Sequence, residues 1–290
     1  MHDQGKNFTS QPAGDQSIGD ILRAANNLSA EQVQSILDHQ KKANVRFGEA
    51  AVALGILKRE EVIWALAQQF HYPYAQGDTI KLSDTVVAAK SPFSDQAEFF
   101  RDIRSQLIMN VFTSGAISNS VAVTSADIGD GKSFFAANLA VVFAQLGART
   151  LLIDADMRTP VQHTLFGVDN STGLSSILSG RAEPNVIRPV ASLPSLYLLP
   201  VGVTPPNPIE LVERPVFGLL IKELASKFEY VVIDTPAASH GSDGLIVASR
   251  CGATVALARC NQTRNQALQK LVGRLSKSPT KFAGVIVNDH

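Results

Sequence analysis

Two cysteines in 290 residues, Cys251 and Cys260, leave nothing from which to build a disulfide framework. Both lie in or beside apolar stretches without a second Cys or a His at metal-ligand spacing, so they read as reduced core residues of a cytosolic protein. No apolar run reaches the length of about 18 residues that a bilayer span requires, and Met1 to Gly14 is polar with no signal-peptide core. The chain is expected to be cytoplasmic, without direct membrane insertion, so that any membrane association comes through a partner. An excess of charge of either sign is also missing: 26 basic residues balance 26 acidic ones. No global field draws this chain to nucleic acid or anionic lipid, and no nucleic-acid partner is expected.

What is present is apolar residues at 45% and charged residues at 18%, ordinary for a folded soluble protein, in a chain about twice the usual domain length. Two domains are therefore expected. Residues 1–16, rich in Gln, Gly, Ser and Asp without an apolar period, read as a disordered tail. Residues 17–40 then align without gaps on residues 46–69: Gly19 matches Gly48, Leu28 matches Leu57, Val33 matches Val62, Leu37 matches Leu66 and Gln40 matches Gln69. Each copy reads as two short helices around a turn, with Ser29 as an N-cap in the first. This predicts a small all-α module over 17–74. Residues 75–92 carry Gly, Asp, Ser and Pro with little period and read as a linker.

Over 93–290 a helix from about Asp95 to Phe112 precedes six short β-branched runs, SVAVTS, TLLIDAD, LYLLPV, YVVIDTP, ATVALA and FAGVIVN, separated by helical stretches. Runs without polar alternation mark strands buried on both faces, so the fold class is α/β, with a mostly parallel sheet covered by helices. The first of these strands runs into Ser125-Ala126-Asp127-Ile128-Gly129-Asp130-Gly131-Lys132-Ser133 and then a helix. Glycines at a helix N-terminus let several backbone N–H groups approach one phosphate chain. Gly129, Asp130, Gly131, Lys132, Ser133 and Phe134 are thus the candidate ATP cradle, with Lys132 on the β- and γ-phosphates and the Ser133 hydroxyl on Mg²⁺. Ala126 stands where the first glycine of this phosphate-binding pattern is expected.

Two further strands end in acid: LLI leads into Asp154-Ala155-Asp156-Met157-Arg158, and VVI into Asp234-Thr235-Pro236. In a parallel sheet these ends share the edge of the phosphate loop, which brings three carboxylates toward the metal and the γ-phosphate. One or two direct carboxylates suffice for Mg²⁺, leaving a spare aspartate to orient or deprotonate a nucleophile.

These motifs resemble those of the bacterial tyrosine kinases of capsule and exopolysaccharide synthesis, over about residues 92–290. Together with the small helical module ahead of them, they most resemble the EpsG-type subgroup, which implies a deviant-Walker, MinD-like P-loop fold. The resemblance implies that Lys132, Asp154 and Asp156 are catalytic, with Asp154 as base toward a tyrosine hydroxyl. It implies that Ser133, Asp156 and Asp234 hold the metal, directly or through water. It also implies that Glu98, Arg101 and Arg104, which share one third of a helix circumference, assemble a homo-oligomeric ring. The expected partner is a transmembrane polysaccharide chain-length (co-polymerase) protein. A C-terminal tyrosine cluster, frequent in these kinases, is not found here: the only tyrosines are Tyr72, Tyr74, Tyr197 and Tyr230. Two other readings stay open, a MinD- or ParA-like positioning ATPase and an ATP-gated regulatory scaffold. Against the former, Asp127 occupies the position of its signature lysine. The helical repeat resembles the N-terminal domain of type II secretion and pilus ATPases, which implies cyclic di-GMP as a ligand, with protein docking as the other reading. Arg46 of the second copy matches that pattern, whereas Ser17 stands at the equivalent position of the first.

Overall fold

The computed structural model describes residues 18–69, 82–113, 119–181 and 184–289. Its contacts divide into two units, 1–72 and 73–290. The expected disordered tail, Ser17, and Tyr72 and Tyr74 lie outside the described residues.

The first unit is four helices: α1 (Ile18–Asn26), α2 (Ala30–Ala43), α3 (Phe47–Ala53) and α4 (Arg59–Gln69). Ser29 caps α2, its Oγ accepting the Gln32 N–H at 3.2 Å while Gln32 Oε1 accepts the Ser29 N–H at 2.9 Å. Leu22, Leu28, Ile36, Ala50, Ala51, Leu57 and Ala65 form its core. A Cβ on Gly48 would come within 2.3 Å of Val62 Cγ1. Gly48 and Val62 are two of the positions shared between the repeat copies, so the match records a close packing of α3 on α4.

The second unit opens earlier than composition suggested. Residues 75–92 read as a linker, yet Leu82, Val86, Ala88 and Ala89 are buried in the core of this unit. They flank and form α5 (Val87–Lys90), which two buried side chains of the phosphate-loop helix hold in place. Asn138 Oδ1 accepts the Ala88 N–H at 2.8 Å and Gln145 Nε2 donates to the Ala88 carbonyl at 2.7 Å. α6 (Asp95–Asn110), N-capped by Ser94, follows and packs on that same helix.

The sheet contains β1 (Ser120–Ser125), β2 (Thr150–Asp154), β3 (Arg188–Pro189), β4 (Leu196–Leu199), β5 (Tyr230–Asp234), β6 (Ala253–Arg259) and β7 (Lys281–Asn288). Their order is β3-β4-β2-β5-β1-β6-β7, parallel except for β3 against β4. Between them run α7 (Lys132–Ala144), α8 (Gln162–Phe166), α9 (Leu174–Leu178), α10 (Pro208–Glu213), α11 (Pro215–Lys227), α12 (Asp243–Ser249) and α13 (Asn265–Leu275). Two apolar layers, one on each sheet face, bury β1, β2 and β5 completely along almost their whole length. This is why those strands read as unbroken apolar runs. Among the described residues no helix is long and apolar enough to cross a membrane.

Candidate active site

The strand order puts β2, β5 and β1 side by side at the centre of the sheet, so the three motifs that close them share one edge. Asp154 and Asp234 are register partners on adjacent strands. The phosphate loop leaves β1 next door and enters α7 through Gly131, the N-cap, at φ 93°, with Gly129 at φ 84°. Both values favour glycine, and at Gly131 a Cβ would also meet Asn288 Nδ2 at 2.5 Å. The loop is braced from within and from outside. Asp130 Oδ2 accepts the Asp127 N–H at 3.0 Å, and Asp130 Oδ1 accepts the Thr263 hydroxyl at 2.7 Å from the loop after β6. Lys132 is buried, its Nζ donating to Ser125 Oγ at 3.1 Å across the loop. Phe134 turns its ring into the α6–α7 core against Phe100, so it can serve a nucleotide only through its backbone.

The acidic residues divide by what their oxygens already do. Asp156 folds its own turn: Oδ1 accepts the Arg158 and Thr159 N–H groups at 3.1 and 3.0 Å, and Oδ2 accepts the Thr159 hydroxyl at 2.9 Å. Asp154 organises the same loop, Oδ1 accepting the Asp156 N–H at 3.2 Å and Oδ2 the Val161 and Gln162 N–H groups at 3.1 and 3.0 Å. The Asp234 carboxylate is bonded by Gln162 Nε2, which donates to Oδ2 at 2.8 Å, and by the Ser133 side chain, while its buried Oδ1 has no close hydrogen-bond partner among the described residues. The expected convergence of three carboxylates is therefore uneven, with Asp156 turned to its own loop and Asp234 left with open acceptor capacity.

Burial, and then the neighbouring Asp234 charge, push the Asp154 carboxyl well above the ordinary carboxylate range. Burial likewise pushes Asp234 up to about 6, opposed by hydrogen bonds from the Gln162 amide and the Ser133 side chain and, less, by the Lys132 charge. Two adjacent buried carboxylates and one orphaned oxygen make a site that a divalent cation fits, since positive charge would relieve both the repulsion and the desolvation. Among the described residues no three His, Cys, Asp or Glu side chains form a ligand cluster. That suits Mg²⁺, which takes one or two carboxylates and fills its remaining positions with waters and phosphate oxygens.

Gln162, Thr263 and Asp243 escaped the sequence reading. Gln162 Nε2 spans Asp234 and the Ser133 carbonyl, the latter at 3.0 Å. Asp243, buried at the start of α12, pairs with Arg158 Nε at 2.7 Å and ties the β2 loop to the segment after β5. Each lies in unremarkable polar sequence away from its target, and only the Arg158 of the motif hinted at a partner. Of the charged triplet on α6, Glu98 and Arg101 pair at 2.6 Å, Arg101 also donates to the Pro92 carbonyl, and Arg104 donates to the Val142 carbonyl at 2.8 Å.

Residues 121–290 match the CobQ/CobB/MinD/ParA nucleotide binding domain family. The chain is 34% identical over 192 residues to the tyrosine-protein kinase CpsD of Streptococcus agalactiae, covering 66% of this chain and 82% of CpsD. It is 33% identical over 208 residues to the tyrosine-protein kinase YwqD of Bacillus subtilis, covering 72% and 87%. The solved kinase domain of the Escherichia coli tyrosine kinase ETK superposes with a TM-score of 0.66 at 30% identity, over 70% of this chain and 79% of that one. A nucleotide-binding α/β domain with its three motifs on adjacent strand ends, and relatives matched over most of their length, show that this chain belongs to the bacterial tyrosine-protein kinases.

Proposed function

We propose that this protein transfers the γ-phosphoryl group of ATP to tyrosines of a separate, membrane-embedded polysaccharide chain-length protein, and thereby regulates exopolysaccharide length or export. The observation that carries the reading is the adjacency of the β1, β2 and β5 ends, which gathers a phosphate loop and two buried, charge-frustrated carboxylates at one edge. Backbone N–H groups at the start of α7 and the Lys132 ammonium hold the phosphates. Ser133 and Asp234 would hold magnesium, with Asp156 acting through water, and the ion would supply positive charge against the phosphate oxygens. As the tyrosine oxygen bonds to the γ-phosphorus, the bond to the ADP oxygen breaks and the hydroxyl proton passes to Asp154. Its carboxylate suits that task because burial, the largest cause, raises its proton affinity. The tyrosines of this chain that the structure describes, Tyr197 and Tyr230, pack their rings against Phe228 and Phe143 within the core layers. An acceptor on another protein is consistent with that packing.

Labelling with [γ-³²P]ATP tests the reading, using the purified full chain with its operon-encoded membrane partner. Phosphotyrosine on the partner that disappears with Lys132→Met is expected, and Asp154→Asn should retain nucleotide binding while losing transfer by about 10²–10⁴-fold, the usual worth of a general base. ATP hydrolysis without phosphotyrosine would favour a MinD- or ParA-like ATPase or an ATP-gated scaffold instead.

For the first unit we propose cyclic di-GMP as ligand. Arg46, exposed at the N-cap of α3, carries a guanidinium able to make the planar, paired contacts that phosphate or guanine accepts. Calorimetry of the full chain should give a saturable heat that Arg46→Ala removes. No heat at high micromolar ligand refutes this part alone.

A further inference from the structure

We infer that Gln162 is a positioning residue that sets the metal-side groups of the phosphate site in register with one another. This inference rests on the reading of Ser133 and Asp234 as the groups that hold magnesium. Gln162 is fully buried and opens α8. One side-chain nitrogen touches two of the three motifs, donating to Asp234 Oδ2 at the end of β5 and to the Ser133 carbonyl in the first turn of α7. Its backbone N–H reaches the third, Asp154 Oδ2 at the end of β2. As the first residue of α8 it has an N–H without an intrahelical acceptor, so the bond to Asp154 also satisfies an orphan donor of the helix start.

The orientation of the amide follows from its neighbours. Both groups facing it, a carboxylate and a carbonyl, accept hydrogen bonds, so the nitrogen must point toward them and not the oxygen. Gln162 Oε1 is then buried without a partner among the described residues. The amide is held in this pose by what its nitrogen does. A shift of α8 would therefore move Asp234, Ser133 and Asp154 relative to one another, and ligand geometry for Mg²⁺ tolerates little displacement. Second-layer hydrogen bonds of this kind carry a tenfold or larger share of metal affinity elsewhere.

The test is titration of the full chain with fluorescent (methylanthraniloyl) ADP, with and without MgCl₂. Gln162→Met keeps the volume and removes both side-chain bonds; Gln162→Asn keeps the amide but shortens its reach. In either variant the Mg²⁺-dependent gain in ADP affinity should fall by about tenfold, while Mg²⁺-free affinity stays within about twofold of wild type. Gln145→Met is the matched control: another buried glutamine, bonded to the Ala88 carbonyl, whose loss should lower the melting temperature and leave the Mg²⁺ gain intact. A folded Gln162 variant that keeps the full gain overturns the inference. Failure of both variants to fold also overturns it, by making Gln162 a structural residue. Absence of any Mg²⁺ gain in the wild type would instead refute the metal reading of Ser133 and Asp234.

Discussion

Asp234 is where burial, charge and ligand chemistry meet in a single side chain. Its carboxyl is pushed up to about 6 in the folded protein, chiefly by burial, against about 3.9 in an unfolded chain. The native state thus binds this proton more tightly than the unfolded state. Stability from this group is fully present below about pH 4 and is lost as pH rises through about 6. Asp154, raised in the same direction, adds to the slope. We expect ligand-free Asp234→Asn to melt at the wild-type temperature near pH 4 and a few degrees higher above about pH 6.5, at about 2–4 °C per kcal/mol for a domain of this size. Mg-ADP should close that gap in wild type by supplying the missing positive charge, with no comparable gain in the variant. Thermal melts at a series of pH values decide it: parallel curves for the two proteins would show that the carboxylate carries no such penalty. Sequence made this residue visible because an acid terminates an apolar strand. It could not show Gln162, a polar residue in a polar stretch whose burial depends on contacts with Ser133 and Asp234, respectively 29 and 72 positions away.

At the scale of elements, legibility tracked length and locality. The six expected strands were readable because each run is apolar without polar alternation, although β7 at the sheet margin alternates exposed and half-buried residues instead of being buried on both faces, and α6 because sixteen residues leave room for caps and a period. β3 was not, for two residues paired antiparallel at the sheet margin carry no pattern. The stretch Leu82 to Lys90 was misread for a related reason. Its helix α5 is a single turn, too short for amphipathic spacing, and its order comes from Asn138 and Gln145, 50 and 57 residues downstream. The phosphate loop shows both sides at once. Gly129 and Gly131 announce its backbone, whereas the brace from Thr263 to Asp130 spans 133 residues and leaves no local trace.

For the whole molecule, the ring expected from Glu98, Arg101 and Arg104 competes with uses of those charges inside one subunit. Arg104 is engaged with the Val142 carbonyl and Arg101 with Pro92, so replacing either would disturb the anchoring of α6 on α7 or the turn before it. Glu98 is the clean probe. Its side chain is 64% exposed and its ion pair among the described residues is an i,i+3 bridge at the surface, of a kind worth at most about 1 kcal/mol. The same helix exposes Phe99 and Met109, apolar surface that a neighbouring copy could cover. We therefore expect the 31.0 kDa chain to assemble with Mg-nucleotide, and Glu98→Lys to shift it to monomer with little change in melting temperature. Light scattering coupled to size exclusion reads this directly. Because the charge reversal barely perturbs the isolated subunit, an unchanged oligomer would mean that this face of α6 points to solvent in the assembly and that the triplet serves the subunit's own packing.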